Sequence, residues 1–501
     1  MKLLTASAPL AAAPSARPSL ARRLVPGLGA AVALAILALL YFALTAADGI
    51  ISTNDGSHYA LTKALAVDRS VRIDPYVKYG AIQPRTGTPT AADYRDVSAY
   101  DGHFYSDRPP GTAFLAVPFY WFGELLGRVA GRPDRDLPLR AVTILPPLLG
   151  AATILALYWL ARGLGAGALA ALLTAATGAL TTLLLKYATL LYSHITGAAF
   201  VTAALAVLLL AERRPGRVWP LALGGVLLGY GAVAEYPNLL LVAPVGFYLL
   251  WRVWRGAERW RGFVAFVAGW VPPILLLAGY QWLAFGRPWR TSYTYQVYFD
   301  WSHSPLTTYV TPLPVGLGWL LFGPAGLFVV TPALVLALWG LVLLARRVPA
   351  HALLLLGAAL TILLPTAAHR TYYGGGSNDT RYLLAIVPLL YAPLALWCEW
   401  TVWPRRLVGR ITLLAVAAIL GVWGLGRSYL SLLAMFGHRA AEYSPEQAWR
   451  LLGRNWRDPT VVVPGLPLLP YAVAIVLPLV GLLWSVWAWN VAREGRRAGT
   501  L

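Results

Sequence analysis

The sequence contains a single cysteine, Cys398, among 501 residues, so it cannot form an intrachain disulfide and its cysteine content does not indicate a compartment. Charged residues are also scarce: Asp, Glu, Lys and Arg make up 12% of the chain, whereas hydrophobic residues make up 58%. This composition excludes an ordinary string of soluble domains. Apolar runs near the length of a membrane span, about 20 residues, recur along the chain. The sequence therefore predicts an all-α polytopic membrane protein.

Acidic residues are fewer than basic ones, 21 against 41, which gives a formal net charge of +20. Such a charge could indicate a nucleic-acid partner. The arginines instead flank the ends of apolar segments, where topology-setting charges of membrane proteins are found. We therefore expect no nucleic-acid partner.

The apolar runs predict about 12 transmembrane helices. We place them at residues 25–47, 140–161, 165–185, 192–211, 218–234, 236–251, 262–284, 325–345, 351–367, 381–399, 411–430 and 469–491. The stretch 218–251 can also be divided differently. The other segments are a disordered cytoplasmic tail at 1–24, a membrane module at 25–430, and a C-terminal part at 431–501 with an outer loop helix and the last span.

Sidedness follows from the basic residues. A cytoplasmic N-terminus places the short arginine-rich loops inside, as the positive-inside rule requires, and also places the C-terminus inside. Only four acidic residues then lie inside, namely Glu212, Glu258, Glu399 and Glu494. A cleaved signal peptide is the alternative for the N-terminus, although the apolar run 25–47 is long for one. The longest polar segment, 48–139, becomes the first outer loop.

Two helices are predicted in this outer loop. In residues 53–67 the spacing puts Asp55, His58 and Lys63 on one face and an apolar stripe on the other, as in an interfacial helix. Asp55 could equally be a helix cap. In "YSDRPPGT", a second interfacial helix is predicted at about 110–127, with Ser106 or Asp107 as a possible cap and prolines in its first turn.

The start of this second helix resembles an anion site. Free backbone N–H groups would lie beside Arg108, and an arginine suits bidentate contacts with phosphate. A capped surface helix with a solvated arginine explains the same residues equally well.

The order of several short motifs resembles the GT-C superfamily of membrane glycosyltransferases. Within it, the chain is most similar to bacterial relatives of protein O-mannosyltransferases and lipid A aminoarabinose transferases, glycosyltransferase family 39. The matching stretches are an aspartate after the first span, "YSDRPPGT", Arg140 opening a span, "YATLLYSHITGAAF", "FGRPWRTSY", "GPAGLFVVTPAL" and "YYGGGSNDTRYLLAIVP".

This resemblance implies a GT-C-like bundle that acts on the outer face. The donor would be a polyprenyl-phosphate-linked sugar, and the configuration at the anomeric carbon would invert. Asp55 stands in the position of the family's catalytic aspartate, and Arg108 stands where relatives carry a basic residue next to the prolines. Relatives often have an acidic residue directly after the aspartate. Gly56 stands there in this chain, which leaves a paired-carboxylate metal site undecided.

The chemistry of transfer needs a base for the acceptor hydroxyl and positive groups for the departing phosphate. We predict Asp55 as the base, and Arg108, Arg381 and the helix start at 109–112 as the phosphate site. Four further residues are expected near the substrate, for sugar hydroxyls or for a divalent metal: His58, Asp101, His103 and Asp107. Three more are expected to line the substrate cavity: His194, Glu235 and Tyr382.

Structural explanations exist for several of these residues. His194 could be a neutral histidine bonded to a neighbouring helix, Glu235 a helix cap, and Arg381 a side chain reaching towards the membrane surface. The side chain of Lys186 is also expected to reach towards the membrane surface.

A transporter or flippase for a lipid-linked or amphipathic substrate is the alternative function. It predicts charged residues in mid-span and broken helices in paired halves. The acidic residues concentrate instead in outer segments, which favours a glycosyltransferase. The expected partners are the lipid-linked sugar, membrane lipid, and a glycan, lipid or protein hydroxyl as acceptor.

Overall fold

A computed structural model of the chain describes residues 20–46, 49–80, 95–131, 137–213, 216–401 and 407–433. These residues form a helical bundle with one small β-hairpin. The predicted span 469–491, the outer loop helix before it and most of the predicted N-terminal tail lie outside the described residues.

The first part of the chain forms α-helices that are joined mainly by short turns. They are α1 (Leu20–Thr45), α2 (Thr53–Lys63), α3 (Gly111–Val129), α4 (Leu137–Val142), α5 (Leu145–Gly163), α6 (Ala168–Leu180), α7 (Leu184–Tyr187), α8 (Ser193–Ala211) and α9 (Trp219–Ala234).

The second part contains three long helices, α11, α16 and α19, and several shorter ones. They are α10 (Val242–Trp254), α11 (Trp260–Phe285), α12 (Pro305–Thr308), α13 (Leu313–Phe322), α14 (Leu327–Val330), α15 (Leu334–Arg347), α16 (Pro349–Ala368), α17 (Val387–Tyr391), α18 (Leu394–Thr401) and α19 (Leu407–Leu433).

Within the described residues, seven helical segments are long and apolar enough to cross a membrane. They are Leu28–Thr45, Leu137–Gly163, Ser193–Ala211, Trp260–Phe285, Leu313–Val330, Pro349–Ala368 and Ile411–Ser428. The chain is thus a multi-pass membrane protein, as predicted. The number of about 12 spans stays a prediction, since Ala168–Leu180 and Trp219–Ala234 are apolar but shorter.

Two predicted spans differ from the structure. The predicted span 325–345 is divided: α15 begins only at Leu334, and a separate apolar helix, α13, occupies part of the predicted outer loop. The predicted span 381–399 is broken into a 3-10 turn and the short helices α17 and α18. Prolines explain the breaks, because Pro332 and Pro393 lie between helices and lack the N–H that a continuing helix needs.

The centre of the bundle is a row of packed helices in which α5 lies against α8, α8 against α9 and α9 against α11. Glycine permits the closest of these crossings. A Cβ atom on Gly269 of α11 would overlap the backbone oxygen of Ala222 on α9. Close backbone approach at small residues is a usual way for helices to pack in a membrane.

The segment predicted as the first outer loop, 48–139, folds onto the bundle where the structure describes it. The predicted apolar stripe of α2, at Ala60, Leu61 and Ala64, packs into a core with Tyr280 and Phe285 of α11 rather than against a membrane surface. The polar face of α2 is also buried, with Asp55 at 1% exposure. α2 is therefore enclosed by protein on both faces, which brings its N-terminus into the interior.

A β-hairpin connects this loop to α3. Strands β1 (Val97–Tyr100) and β2 (His103–Ser106) pair antiparallel and are joined by Asp101 and Gly102. Both turn residues have positive φ, 51° and 74°, as a two-residue hairpin turn with the right twist requires. The hairpin ends just before Arg108 and so fixes the position of that side chain.

Candidate active site

A cavity of about 910 Å³ lies where the N-terminus of α2 meets the starts of α8 and the segment that follows α9. Residues separated by more than 300 positions line it, from Ile51 to Ala385. Its arginine, histidine and carboxylate lining is Arg95, Asp96, Arg108, His194, Glu235, His369 and Arg381. Two carboxylates and three arginines therefore line one partly open cavity.

Arg108 enters this cavity from the end of the hairpin. Its guanidinium forms an ion pair with Asp96, and its Nε lies 3.0 Å from Asp107 Oδ1 without the alignment of a hydrogen bond. Asp96 also accepts a hydrogen bond from the hydroxyl of Thr53 at the start of α2. Arg108 is thus held between two carboxylates and beside the first turn of α2.

The predicted helix start at 109–112 does not share the cavity with Arg108. Gly111 packs so closely on the end of α9 that a Cβ atom would lie 2.7 Å from the nitrogen of Ala234. The backbone oxygen of Gly111 accepts a hydrogen bond from Tyr230, and Thr112 bonds to Thr196. The prediction that the helix start forms part of the anion site is therefore wrong, because α8 and α9 close that end of the helix.

Arg381 enters the same cavity from another direction. Its guanidinium carbon lies 5.2 Å from the ring centre of Tyr382 and 5.6 Å from that of Tyr192. In the described part of the chain, its Nε finds no hydrogen-bond partner although the atom is buried. Such a nitrogen can bind an incoming anion without first losing a protein contact.

A buried carboxylate holds the loop before Arg381. Asp379 accepts hydrogen bonds from Lys186 Nζ at 2.8 Å, from the hydroxyl of Tyr187 at 2.7 Å and from Ser377 Oγ at 3.0 Å. Lys186 is only 5% exposed, so the expectation that it reaches towards the membrane surface is wrong. It is paired in the interior because Asp379 supplies the opposite charge.

Asp55 lies directly behind the cavity wall. Ser52 is the N-cap of α2 and Asp55 is its N3 residue, in the arrangement of a capping box. The carboxylate accepts the N–H groups of Ile51 and Ser52, each at 2.7 Å, and the Ser52 hydroxyl at 2.5 Å. Burial raises the pKa of Asp55 to about 6, against the opposing effect of these hydrogen bonds. Ile51, Ser52, Thr53 and Asn54 line the cavity, whereas Asp55 stands behind them.

His194 and Glu235 form a pair in the cavity wall. His194 Nδ1 lies 2.7 Å from Glu235 Oε1, which also accepts the hydroxyl of Ser193. The other ring nitrogen, Nε2, is buried and has no hydrogen-bond partner among the described residues. A purely structural role therefore does not fully account for His194 and Glu235, because both side chains also line the cavity.

Two predicted residues are buried beside the cavity. His58 is fully buried, its pKa is lowered to about 3 mainly by that burial, and both of its ring nitrogens lack partners among the described residues. Asp107 is also fully buried and accepts a 2.6 Å hydrogen bond from Gln296. Tyr382, in contrast, lines the cavity.

Two further predicted residues lie elsewhere. Asp101 is in the exposed turn of the hairpin, and His103 pairs with Asp74 at 3.2 Å on the far end of the same hairpin. Their placement near the substrate is wrong, because the hairpin carries its turn away from the cavity. The signal was present in the sequence: "YDGHFYS" has the Asp-Gly pair of a two-residue hairpin turn.

The opposite part of the cavity is aromatic. Tyr293, Tyr298, Phe299, Trp301 and Tyr309 line it, all from the segment between α11 and α13. Tyr295, from the same segment, stacks on Phe285 instead. Aromatic faces of this kind suit the apolar faces of sugars or a hydrocarbon chain.

Among the lining residues that escaped the sequence analysis are Ser52, Asp96 and Tyr192. Ser52 carried a usable signal, since a serine three residues before Asp55 is the pattern of a capping box. Asp96 and Tyr192 carried none, because only the fold brings them to the first turn of α2.

The described residues also show how well the site could hold a metal ion. Among the described residues, no group of three or more His, Cys, Asp or Glu side chains is placed to hold a metal ion. Gly56 has no room for a side chain, because a Cβ atom there would overlap the backbone oxygen of Tyr79. The paired carboxylates of the resemblance therefore could not be accommodated in this packing.

Comparison with known proteins agrees with this architecture. Residues 135–271 match the family model for dolichyl-phosphate-mannose-protein mannosyltransferase. No curated protein matches the chain.

Three solved structures are similar to the chain. An oligosaccharyltransferase from Archaeoglobus fulgidus in complex with Zn and sulfate has a TM-score of 0.51 and 16% identity, over 89% of this chain and 61% of that one. The oligosaccharyltransferase AglB from the same organism, with an inhibitory peptide and a dolichol-phosphate, has a TM-score of 0.49 and 14% identity over 92% and 64%. ArnT from Cupriavidus metallidurans, bound to undecaprenyl phosphate, has a TM-score of 0.48 and 16% identity over 95% and 79%.

The chain spans 61% to 64% of the length of these two oligosaccharyltransferase chains. The TM-score of 0.51 to the first of these structures shows a shared fold, and at 16% identity the activity has to be argued from the site itself. The chain has the fold of that oligosaccharyltransferase, and over residues 135–271 it matches the mannosyltransferase family model, as the resemblance of its motifs predicts.

Proposed function

We propose that the chain is an integral-membrane glycosyltransferase that moves a sugar from a polyprenyl-phosphate donor to a hydroxyl acceptor. The observation that carries this proposal is that Arg108 and Arg381 line one cavity. Both side chains are largely buried, and each keeps its Nε without a hydrogen bond to the described residues. Two guanidinium groups that line one partly open cavity suit a phosphate, which develops charge as the sugar leaves.

The cavity wall supports a lipid-linked donor. Apolar side chains such as Leu240, Ile362 and Pro365 line it near the membrane-spanning helix α16. The match to the mannosyltransferase family, whose donor is named as dolichyl-phosphate-mannose, points to the same class of donor. The sugar can be a hexose or a pentose.

The proposed reaction is a single displacement that inverts the anomeric carbon. The acceptor oxygen attacks that carbon as the bond to the phosphate oxygen breaks, and Asp55 takes the acceptor's proton. The pKa of Asp55, about 6, suits a base that works near neutral pH. The acceptor is a hydroxyl of a glycan, a lipid or a protein.

We further propose that the cavity faces the outside, with both termini in the cytoplasm. The support is the excess of arginine in the predicted inner loops and the concentration of acidic residues in the first outer loop. In this arrangement residues 25–430 form the catalytic module, with the first outer loop at 48–139.

A binding experiment tests the phosphate site without knowledge of the sugar. The purified protein in nanodiscs should be stabilised against heating by polyprenyl phosphate and not by the matching polyprenyl alcohol. Arg108→Ala and Arg381→Ala should each weaken this stabilisation. Equal stabilisation by the phosphate and the alcohol would contradict the phosphate site.

A second experiment separates transfer from transport. A strain without the gene should accumulate a lipid-linked sugar and lack that sugar on an envelope component. Adding purified protein to membranes of this strain should consume the lipid-linked sugar and release polyprenyl phosphate. A lipid that crosses the membrane unchanged would indicate a transporter or flippase instead.

A further inference from the structure

His369 uses one ring nitrogen to hold its own turn. The residue directly follows α16, is half-buried and lines the cavity. Its Nδ1 accepts the backbone N–H of Thr371 at 3.1 Å, and the Thr371 hydroxyl lies 3.1 Å from the same nitrogen. Because a backbone N–H group can only donate, this contact assigns Nδ1 as the ring nitrogen without a proton.

The proton of the ring is therefore on Nε2. Burial lowers the pKa of His369 to about 4, so the imidazole is neutral near pH 7 and keeps one N–H group. Nε2 makes no hydrogen bond to the described residues and, unlike Nε2 of His194, it is not sealed from the cavity. His369 thus offers an N–H donor to a ligand in the cavity, and no protein contact has to be broken first.

Three aromatic rings surround this donor. The ring centres of Trp301, Tyr309 and Tyr382 lie 5.5, 5.8 and 5.8 Å from that of His369, and all three residues line the cavity. Apolar ring faces beside one polar donor match a sugar, which has apolar C–H faces and hydroxyl oxygens at its rim. A hydrocarbon chain in this place would leave the N–H group of His369 unpaired, at a cost in free energy.

The segment that carries the first two of these rings is fastened to the turn of His369. Thr311 donates its N–H to the backbone oxygen of Ala368 and its hydroxyl to that of His369, each at 3.0 Å. Arg370 donates its N–H to the backbone oxygen of Thr308 at 2.7 Å. The rings and the donor are therefore in place before a ligand arrives, which lowers the entropic cost of binding.

Tyr382 links this group to the proposed phosphate site. Its ring centre lies 5.8 Å from that of His369 and 5.2 Å from the guanidinium carbon of Arg381. His369 therefore stands one aromatic ring away from the place proposed for the phosphate, within reach of a sugar attached to that phosphate.

We propose that His369, Trp301, Tyr309 and Tyr382 bind the sugar of the donor, and that His369 Nε2 donates a hydrogen bond to one of the sugar hydroxyls. The aromatic rings pack on the apolar faces of the same sugar. His369 is in this arrangement a specificity-determining residue, because a sugar without a hydroxyl at that position leaves the donor unpaired. This inference rests on the proposed function and assigns residues to the sugar.

The alternative is that His369 only stabilises its turn through Nδ1. Two substitutions separate the two ring nitrogens. His369→Asn brings an amide oxygen close to the position of Nδ1, so it can still accept the N–H of Thr371, but it has no donor at the position of Nε2. His369→Gln does the reverse, because its longer side chain brings an amide N–H group close to the position of Nε2 and gives up the contact with Thr371.

The experiment measures KM and kcat for the lipid-linked sugar extracted from the deletion strain, with membranes of that strain as the source of acceptor. We expect His369→Asn to raise KM by about 10-fold, the effect of one lost hydrogen bond. His369→Gln should stay within about 3-fold of the unaltered protein, since the donor is kept. The opposite order, with His369→Gln impaired and His369→Asn unaffected, would show a role in the turn alone and would overturn the proposal.

His303→Asn is the matched control. It makes the same chemical change in the short helical turn that contains Trp301, at an exposed residue outside the cavity lining. The KM for the lipid-linked sugar should not change in this variant. A rise in KM as large as that of His369→Asn would show that the effect is not specific to His369 and would contradict the sugar site.

A binding measurement without a sugar separates the sugar site from the phosphate site. Polyprenyl phosphate should stabilise His369→Asn in nanodiscs against heating as well as it stabilises the unaltered protein, because this lipid carries no sugar. A weaker stabilisation of His369→Asn would place His369 at the phosphate or the lipid chain and would overturn the proposal.

The outcomes also distinguish this inference from the proposed function. If the unaltered protein consumes no lipid-linked sugar, the proposed function fails and the sugar site fails with it. If the unaltered protein is active and His369→Asn has the same KM, only the sugar site fails.

Discussion

Lys186 Nζ lies 2.8 Å from Asp379 Oδ2, in an ion pair whose two side chains are 7% and 6% exposed. The pair joins the short helix α7 to the loop that carries Arg381. Asp379 also accepts the backbone N–H of Arg381 at 3.2 Å. One buried carboxylate thus links a lysine in the bundle to an arginine in the cavity.

This relationship gives a stability prediction. Lys186→Met leaves a buried carboxylate without its cation, which should destabilise the protein by about 3 kcal/mol. Lys186→Met combined with Asp379→Asn should cost less than the sum of the two single changes, because the partners interact directly. Thermal unfolding in detergent measures all three variants. Strictly additive losses would contradict the coupling.

Arg108 should matter for the donor more than for the fold. Arg108→Ala removes charge-assisted hydrogen bonds to the phosphate, so we expect kcat/KM for the donor to fall by about 30-fold, or about 2 kcal/mol. Arg128→Ala is the matched control, since Arg128 is 77% exposed and pairs with Glu124 on the surface of α3. An unchanged kcat/KM in Arg108→Ala would remove Arg108 from the phosphate site.

Asp55 should be required for transfer. Asp55→Asn keeps the shape of the side chain and can still accept a hydrogen bond at the helix start, so insertion and expression should be maintained. It cannot take a proton, and we expect turnover to fall by roughly 100-fold or more. The measurement is consumption of the lipid-linked sugar, with protein amount as control. Substantial residual turnover would exclude Asp55 as the base.

The pH dependence of the reaction should follow the same carboxyl group. Asp55 accepts a proton only when ionised, and burial raises its pKa to about 6. We therefore expect kcat/KM to rise as the pH increases through about 6 and to level off above it. A profile that stays flat between about pH 5 and 7.5 would contradict this assignment.

Stability should respond to pH in the opposite direction. The pKa of Asp55 is higher in the folded protein, about 6, than its usual value of 3.8, so the folded state binds the proton more tightly. The stability that protonation of Asp55 supplies is present below pH 3.8 and is lost as the pH rises towards 6. Asp55→Asn should lack this fall. The test compares melting temperatures of the two proteins from about pH 4 to 7, and identical curves would contradict the prediction.

Much of the helical architecture could be read from the sequence. Apolar runs predict helices because a membrane leaves no water for unpaired backbone groups, and the described helices from α5 to α11 agree with those runs. The predictions are weaker where prolines and glycines interrupt an apolar run, as between α14 and α18. Apolar content alone does not show where such a run breaks.

Only part of the candidate site could be predicted from the sequence. Motif order pointed to Arg108, His194 and Arg381, and Glu235 was expected in the substrate cavity from its place between two apolar runs; the structure places all four in the wall of one cavity. The sequence could not show that Asp96 pairs with Arg108, because that contact depends on how the hairpin folds back onto α2.

The sequence by itself determined that this is a helical membrane protein with a long polar segment between apolar runs, because burial in lipid is decided by the apolar content of local segments. Only the tertiary structure decided which distant polar side chains meet. Ser52 and Tyr192 become neighbours because the N-terminus of α2 meets the start of α8, and Asp55 is withdrawn from the cavity because its oxygens hold the first turn of α2. The contact between Ser52 and Tyr192 joins residues 140 positions apart, and no local pattern specifies it.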